Sequence, residues 1–414
     1  MLSAEFPPPH SALNTQDSAL GSWLDSLQGS GIRRGLGRMH ALLRAVGRPE
    51  RAYRSIIVAG TNGKGSTSAT LASILLESGY RTGLYTSPHL VDLRERWMIA
   101  GAPIGDALLT HAIALLRRAS AEIVPTYFEA LTLIAFIAFR EARCEVAVLE
   151  VGMGGRLDAT NVVRPMASLV TPIGFDHVEY LGTTLRQIAG EKAGVIHRGA
   201  VVLTTNVDPV VLGVLQKRAA KFDDRFVVVR EEHDTPLAGA FQRRNAALAV
   251  RAAEELRGVL PGITSASIER GVRATRWRGR LERMHVDGKE VWIDGCHNAH
   301  AIRAVAPFIA EEVTPPRVLV FGIMGDKDVH DVARTLFPHF AKIITTEPYP
   351  PRSAQAAELA ELARGMGIEA MVEPEPRRAF ERALASGGQS LFVGGSLYLA
   401  GAAIEYFDGR KREE

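Results

Sequence analysis

The chain has 414 residues, more than one ordinary core accommodates, so two domains are expected. Lys and Arg number 49 against 46 Asp and Glu, a net charge of +3, and this near-balance argues against a dedicated nucleic-acid surface. With 46% hydrophobic residues, 23% charged residues and only two cysteines, the composition is that of a globular protein without a disulfide framework.

Residues 1–20 are rich in Pro and Ser and read as a loose tail. Met1–His10 carries neither a basic start nor an apolar run, which argues against a secretion signal. The longest greasy stretch, Leu131–Phe139, is too short to cross a bilayer, so no membrane association and a cytoplasmic location are expected. Cys144 falls between a helix pattern and a strand pattern and reads as a small buried side chain.

From Ser55 onward, β-branched runs alternate with Ala/Leu/Arg-rich helical stretches, the pattern of a parallel α/β sheet. Strands are expected at Ser55–Ala59, Val146–Val151, Ala167–Val170 and Val201–Thr204, with helices at Ser66–Ser78, Phe128–Arg143 and Thr184–Ala193. Helical patterns follow from Ala240 and from Ile268, and the basic run Trp277–Arg283 reads as the join between domains. Alternation then restarts at Val291–Asp294, Val318–Phe321, Lys342–Thr345 and Leu391–Val393. The expected fold class is α/β: a phosphate-loop domain with a doubly wound parallel sheet over 21–280, and a smaller Rossmann-like α/β domain over 281–414. The charged tail Gly409–Glu414 reads as solvated.

The strand Ser55–Ala59 runs into Gly60-Thr61-Asn62-Gly63-Lys64-Gly65-Ser66-Thr67 and then a helix. Glycines let backbone N–H groups approach phosphate oxygens, the helix N-terminus adds a fixed positive field, and Lys64 supplies a charge for the outer phosphates. In the common form of this motif Ser or Thr follows the lysine and holds magnesium; here Gly65 intervenes, so a hydroxyl from elsewhere is needed. Glu150 closes the run Val146–Leu149 and should emerge at the carboxyl edge of the sheet, where a hard oxygen ligand suits Mg²⁺. Taken singly, Glu150, His177 and Lys192 are more often a surface acid, a structural histidine and a solvated lysine.

Several segments occur in one order: Ala59–Ser66, Thr86-Ser87-Pro88-His89-Leu90, Thr126-Tyr127-Phe128-Glu129, Leu149–Asn161, Asp176-His177, Glu191-Lys192-Ala193-Gly194 and Asp294-Gly295-Cys296-His297-Asn298. Together they resemble the folylpolyglutamate synthase/dihydrofolate synthase family of the Mur ligase superfamily, from about Gly35 to about Gly401. The resemblance implies an ATP-dependent carboxylate–amine ligase with a Mur-type central domain. Gly63, Lys64, Gly65 and Ser66 would cradle ATP phosphates, with Asn245, Arg280 and Asp294 holding the nucleotide. Ser87 and Glu150 would bind one Mg²⁺ and His177 a second, with Lys192 carried as a carbamate ligand. Thr126, Tyr127, Phe128, Glu129, Leu157, Asp158 and Ala159 match segments that contact the pterin. His297 and Ser396 would place glutamate, His297 as proton acceptor, and the second domain would close over ATP and glutamate. The implied substrates are dihydropteroate or a tetrahydrofolate, L-glutamate and ATP, on a monomer.

Two departures stand out: Ala299 where the family usually has Pro, and Cys296 where Ala is frequent. The phrase Arg156-Leu157-Asp158-Ala159-Thr160-Asn161 resembles enzymes with dihydrofolate synthase activity, so a bifunctional enzyme is expected. The rivals are a Mur-type ligase of cell-wall or cyanophycin-like substrates, which lacks the 126–129 segment, and a non-catalytic ATP-driven switch, which needs no Glu150, His177 and Lys192 together.

Overall fold

The computed structural model describes residues 18–31 and 33–410. Residues 1–10, where no secretion signal is expected, and the expected loose tail up to residue 17 lie outside the described residues, as do the last four residues of the charged tail. The end of that expected N-terminal tail is helical instead: Ser18–Ser26 forms a helix, with Leu20 and Leu24 buried in the first core. Gly409 and Arg410 likewise finish a helix, Leu397–Arg410.

The chain divides into two compact units. Among the described residues, the first comprises those up to His89, 93–236 and 242–276. The second starts at Trp277 and also takes in two short pieces, Leu90–Asp92 and Leu237–Phe241.

The first unit is built on an eight-stranded sheet. Its strands are β1 (Arg54–Ala59), β2 (Thr82–Tyr85), β3 (Trp97–Ile99), β4 (Ala102–Pro103), β5 (Val146–Glu150), β6 (Ala167–Val170), β7 (Val201–Thr204) and β8 (Phe226–Val228). Their order is β4-β3-β2-β5-β1-β6-β7-β8. Only β2–β3 and β3–β4 pair antiparallel. The central strands β1, β5 and β6 are mostly apolar and buried at every position but Arg54 because helices cover both faces of a parallel sheet. The helix Lys64–Glu77 is buried along most of its length and packs so closely on Ser265–Ala274 that a Cβ on Gly271 would lie 2.4 Å from the Ile74 Cα.

The second unit carries six strands: β9 (Glu282–Val286), β10 (Lys289–Ile293), β11 (Arg317–Phe321), β12 (Lys342–Thr345), β13 (Glu369–Val372) and β14 (Ser390–Gly394). Their order is β13-β12-β11-β14-β10-β9, parallel except for the β9–β10 hairpin. Two apolar clusters line its faces, one around Phe321, Phe337 and Phe392, the other around Phe380, Ile404 and Phe407. No helix among the described residues is long and apolar enough to cross a membrane.

Candidate active site

The phosphate loop leaves β1 at Ala59 and enters the helix that starts at Lys64. Gly60 and Gly63 have φ of 149° and 85°. A Cβ on Gly60 would sit 1.8 Å from Thr171 Oγ1, and one on Gly63 would sit 2.4 Å from Asn245 Oδ1, so both positions demand glycine. The loop is fastened to the segment after β6. The Thr61 N–H donates to Pro172 O at 2.9 Å, and the Thr61 hydroxyl pairs with the backbone of Gly174. Lys64 Nζ donates to the carbonyl of Thr61 at 3.2 Å, and Gly65 and Ser66 are buried in the first turn. Asn245, on the helix Ala240–Glu255, is thereby placed beside the loop, and its amide is oriented by Gln242 at 2.9 Å.

Parallel register sets the next residues. Glu150 ends β5 opposite Val58, and Tyr85 at the end of β2 stands opposite Leu149. The Ser87 N–H donates to Glu150 Oε2 at 3.3 Å, so two expected metal ligands are adjacent. Glu150 is 4% exposed, and Ser87 Oγ is buried with no hydrogen-bond partner. A buried carboxylate beside an unsatisfied hydroxyl is a hard-oxygen pair of the kind Mg²⁺ takes alongside phosphates and water. Among the described residues no group of three or more His, Cys, Asp or Glu forms a self-sufficient metal cage. His89, in the same segment, serves the fold: its buried Nδ1 accepts from Arg96 Nε at 2.9 Å, and burial together with that guanidinium keeps the ring neutral.

Lys192 lies at the end of the helix Leu185–Lys192, 4% exposed, with Nζ donating to Gly60 O at 2.7 Å. Burial, seconded by the charge of Lys64, lowers its pKa to about 7, against the pull of Asp176 and Asp158. An amine held this close to neutrality is nucleophilic towards carbon dioxide, which a fully charged lysine is not. His177 has a left-handed backbone, φ 48°, and its ring lies 3.9 Å from the carboxylate of Asp176.

All seven expected pterin residues line one pocket. Thr126 caps the helix Tyr127–Glu141 in a reciprocal box with Glu129, presenting Phe128 at the mouth of the first turn. Gly152 lets the backbone pass that ring; a Cβ there would sit 2.5 Å from the Phe128 Cζ. Asp158 is a loop organiser: it accepts from Met153 N, Thr160 N and Thr160 Oγ1, and burial raises its pKa despite those bonds. Other motif residues hold the same loop from outside. Arg156 pairs with Glu191 at 2.7 Å, Asn161 bridges Arg156 O and Gly194 O, and a Cβ on Gly194 would strike Arg156. Gly152 and Met153 complete that side of the pocket, and the opposite wall, Gln28, Ser30, Gly31, Arg33, Gly35 and Leu36, was not foreseen. No motif marks that N-terminal strip.

The other expected residues gather at the carboxyl edge of the second sheet. Asp294 Oδ2 accepts from Leu281 N and Oδ1 from Cys296 N, so this buried carboxylate shapes two loops at once. Burial raises its pKa, and Arg280 opposes the rise. His297 Nδ1 lies 2.8 Å from the carbonyl of Gly295. A carbonyl only accepts, so Nδ1 carries the proton and Nε2 is the ring's basic nitrogen. Ser396 Oγ accepts from Tyr398 N and starts the last helix, beside Gly395, whose N–H reaches Cys296 O. Cys296 is buried in the core. Ala299 is the first residue of the helix Ala299–Glu312, capped by Asn298; proline also suits that position, so the departure keeps the local structure.

Residues 58–249 match the Mur ligase middle domain and 279–397 the Mur ligase glutamate ligase domain, which defines a two-domain ligase of the Mur class. The folylpolyglutamate synthase of Lacticaseibacillus casei is 34% identical over 90% of this chain and 94% of its own length. The dihydrofolate synthase/folylpolyglutamate synthase of Bacillus subtilis is 32% identical over 91% and 96%. The chain belongs to the folylpolyglutamate synthase/dihydrofolate synthase family, whose members are ATP-dependent glutamate ligases. Among solved structures, Mycobacterium tuberculosis folylpolyglutamate synthase complexed with ADP and AMPPCP superposes with a TM-score of 0.84 at 32% identity, covering 94% of this chain and 97% of that one. Escherichia coli FolC in complex with DHPP and ADP gives 0.85 at 28% identity, covering 97% and 99%.

Proposed function

We propose that the protein joins L-glutamate to the carboxylate of dihydropteroate and of reduced folates, at the expense of ATP. The observation that carries this reading is the stretch 150–159. It begins with Glu150 beside the phosphate loop and ends with Leu157, Asp158 and Ala159 in the wall of the pocket lined by Tyr127 and Phe128, so one loop connects the phosphate loop to an aromatic-lined recess. The substrate carboxylate attacks the γ-phosphate, ADP leaves, and an acyl phosphate remains. The amine of glutamate then attacks the acyl carbon and phosphate departs. Lys64 and the loop amides neutralise charge on the transferred group, and their fixed positions supply most of the acceleration.

Ser87 and Glu150 would hold Mg²⁺, which neutralises phosphate charge when bound. Lys192 as a carbamate and His177 would serve a second ion. Arg280, Asp294 and Asn245 would hold the nucleotide. On the second unit, His297 Nε2 would take the proton released by the amine, and the turn at Ser396 would position glutamate. A dual activity on dihydropteroate and folates is supported by the 156–161 phrase and by the double name of the Bacillus subtilis relative. We place the enzyme in the cytoplasm, as a monomer acting on small molecules, without nucleic acid or membrane partners. The test is incubation with ATP, Mg²⁺ and labelled glutamate, offering dihydropteroate and tetrahydrofolate separately and resolving products by mass. Both should gain one glutamate with matching ADP release; neither gaining it overturns the proposal.

A further inference from the structure

Glu129 belongs to the expected pterin segment, yet its carboxylate faces the protein. It is 5% exposed, and both oxygens are engaged. Oε2 accepts from Thr126 N at 2.8 Å and from Arg38 Nε at 3.1 Å, and Oε1 accepts from Arg38 Nη2 at 3.0 Å. Arg38 comes from the helix Gly37–Ala45, 91 residues earlier in the chain. Its Nη2 also donates to Arg33 O at 2.8 Å. A second fastening runs alongside, where Tyr127 N donates to Ser30 Oγ at 3.0 Å.

These contacts join two walls of one pocket. Ser30, Arg33 and Leu36 line it from the N-terminal strip, and Thr126–Glu129 line it from the first turn of the helix Tyr127–Glu141. Arg38 itself does not line the pocket, whereas the residues it grips on both sides do. A planar guanidinium making two parallel bonds to one carboxylate fixes distance and angle together, which an ammonium cannot do. Losing the guanidinium leaves a buried carboxylate uncompensated at the capping position and frees the strip.

Resting on the pterin reading of this pocket, we propose that Arg38 is a positioning residue for the pterin-bearing substrate. Through Glu129 it sets the spacing between the N-terminal strip and the first turn of the helix, without touching substrate. Glu129 is correspondingly a bracket and not a pterin ligand.

The experiment compares Arg38→Gln, Arg38→Lys, Glu129→Gln and the double variant Arg38→Gln/Glu129→Gln with the parent. Steady-state constants are taken for each substrate, alongside thermal unfolding. Gln at 129 retains an acceptor for Thr126 N, so it separates the Arg38 bond from the helix cap. Arg38→Gln should raise KM for dihydropteroate about tenfold while KM for ATP and kcat stay within about twofold. Arg38→Lys should recover part of the loss, and the double variant should be no worse than Arg38→Gln alone, since both act through one contact. If Arg38→Gln fails to fold, Arg38→Lys and Glu129→Gln carry the same KM-against-kcat comparison. Unchanged dihydropteroate KM in a parent that ligates normally, or equal losses on ATP, overturns the positioning role. A parent that ligates neither pterin overturns the functional reading instead.

Discussion

The carboxyl edges of the two sheets are built from similar residue types and used differently. At the first edge, polar groups are left incompletely matched by the protein: Ser87 Oγ is buried without a partner, and Lys192 is buried with its charge destabilised. At the second edge, Asp294, Asn298 and Ser396 all accept backbone N–H groups and define loops. A group with its hydrogen bonds complete holds shape, and a group without them awaits a ligand. The first edge thus keeps polar groups that the protein leaves incompletely matched, while the second presents hydrogen-bonded loops that include His297.

The largest test of that contrast is Lys64→Ala, which should lower ADP formation by about 10³-fold, read in a coupled release assay. Normal turnover would move phosphate chemistry away from the first edge. Next, Lys192→Met should lower ligation by about 10²-fold. It should also unfold at a higher temperature than the parent in bicarbonate-free buffer at pH 6. The parent's lysine has a folded pKa of about 7, below its ordinary 10.5, so the penalty of burying its charge is complete below pH 7 and fades as pH rises towards 10.5. The advantage of the variant should therefore shrink by pH 10, as melting curves at the two pH values will show.

A smaller effect is expected at Gly152→Ala. The new methyl displaces Phe128 and should raise KM for dihydropteroate about tenfold, leaving KM for ATP alone. The smallest is Ser396→Ala, which removes a helix cap and should cost about 1 kcal/mol in denaturant unfolding, with glutamate KM changed by less than about threefold. A much larger rise in glutamate KM would make Ser396 a ligand contact and erase part of the contrast between the edges.

Much of the frame was legible in the chain. Parallel strands buried on both faces are rich in apolar residues, and β1, β5, β6, β7 and β12 stand where such short runs occur. The short antiparallel strands β3 and β4 were not legible, because a strand of two or three residues has too few side chains to show a period. The segments 126–129 and 157–159 carried a motif, whereas Gln28, Ser30, Gly31, Arg33, Gly35 and Leu36, which complete their pocket, did not. Glu129 sits in the expected segment, and only the tertiary structure shows that its carboxylate is held by Arg38 and by the N–H of Thr126.

Local order in this protein followed from the sequence itself: the glycine-rich turn after an apolar strand, the capped helix at Thr126, the alternation that makes two α/β units. These features depend on backbone freedom and periodicity among near neighbours. Tertiary structure alone decided that Ser87 would stand beside Glu150, that Lys192 would be buried against Gly60, and that Arg38 would grip Glu129. Burial and charge pairing join residues far apart in the chain, and no local pattern encodes which distant partner will remove a side chain from water.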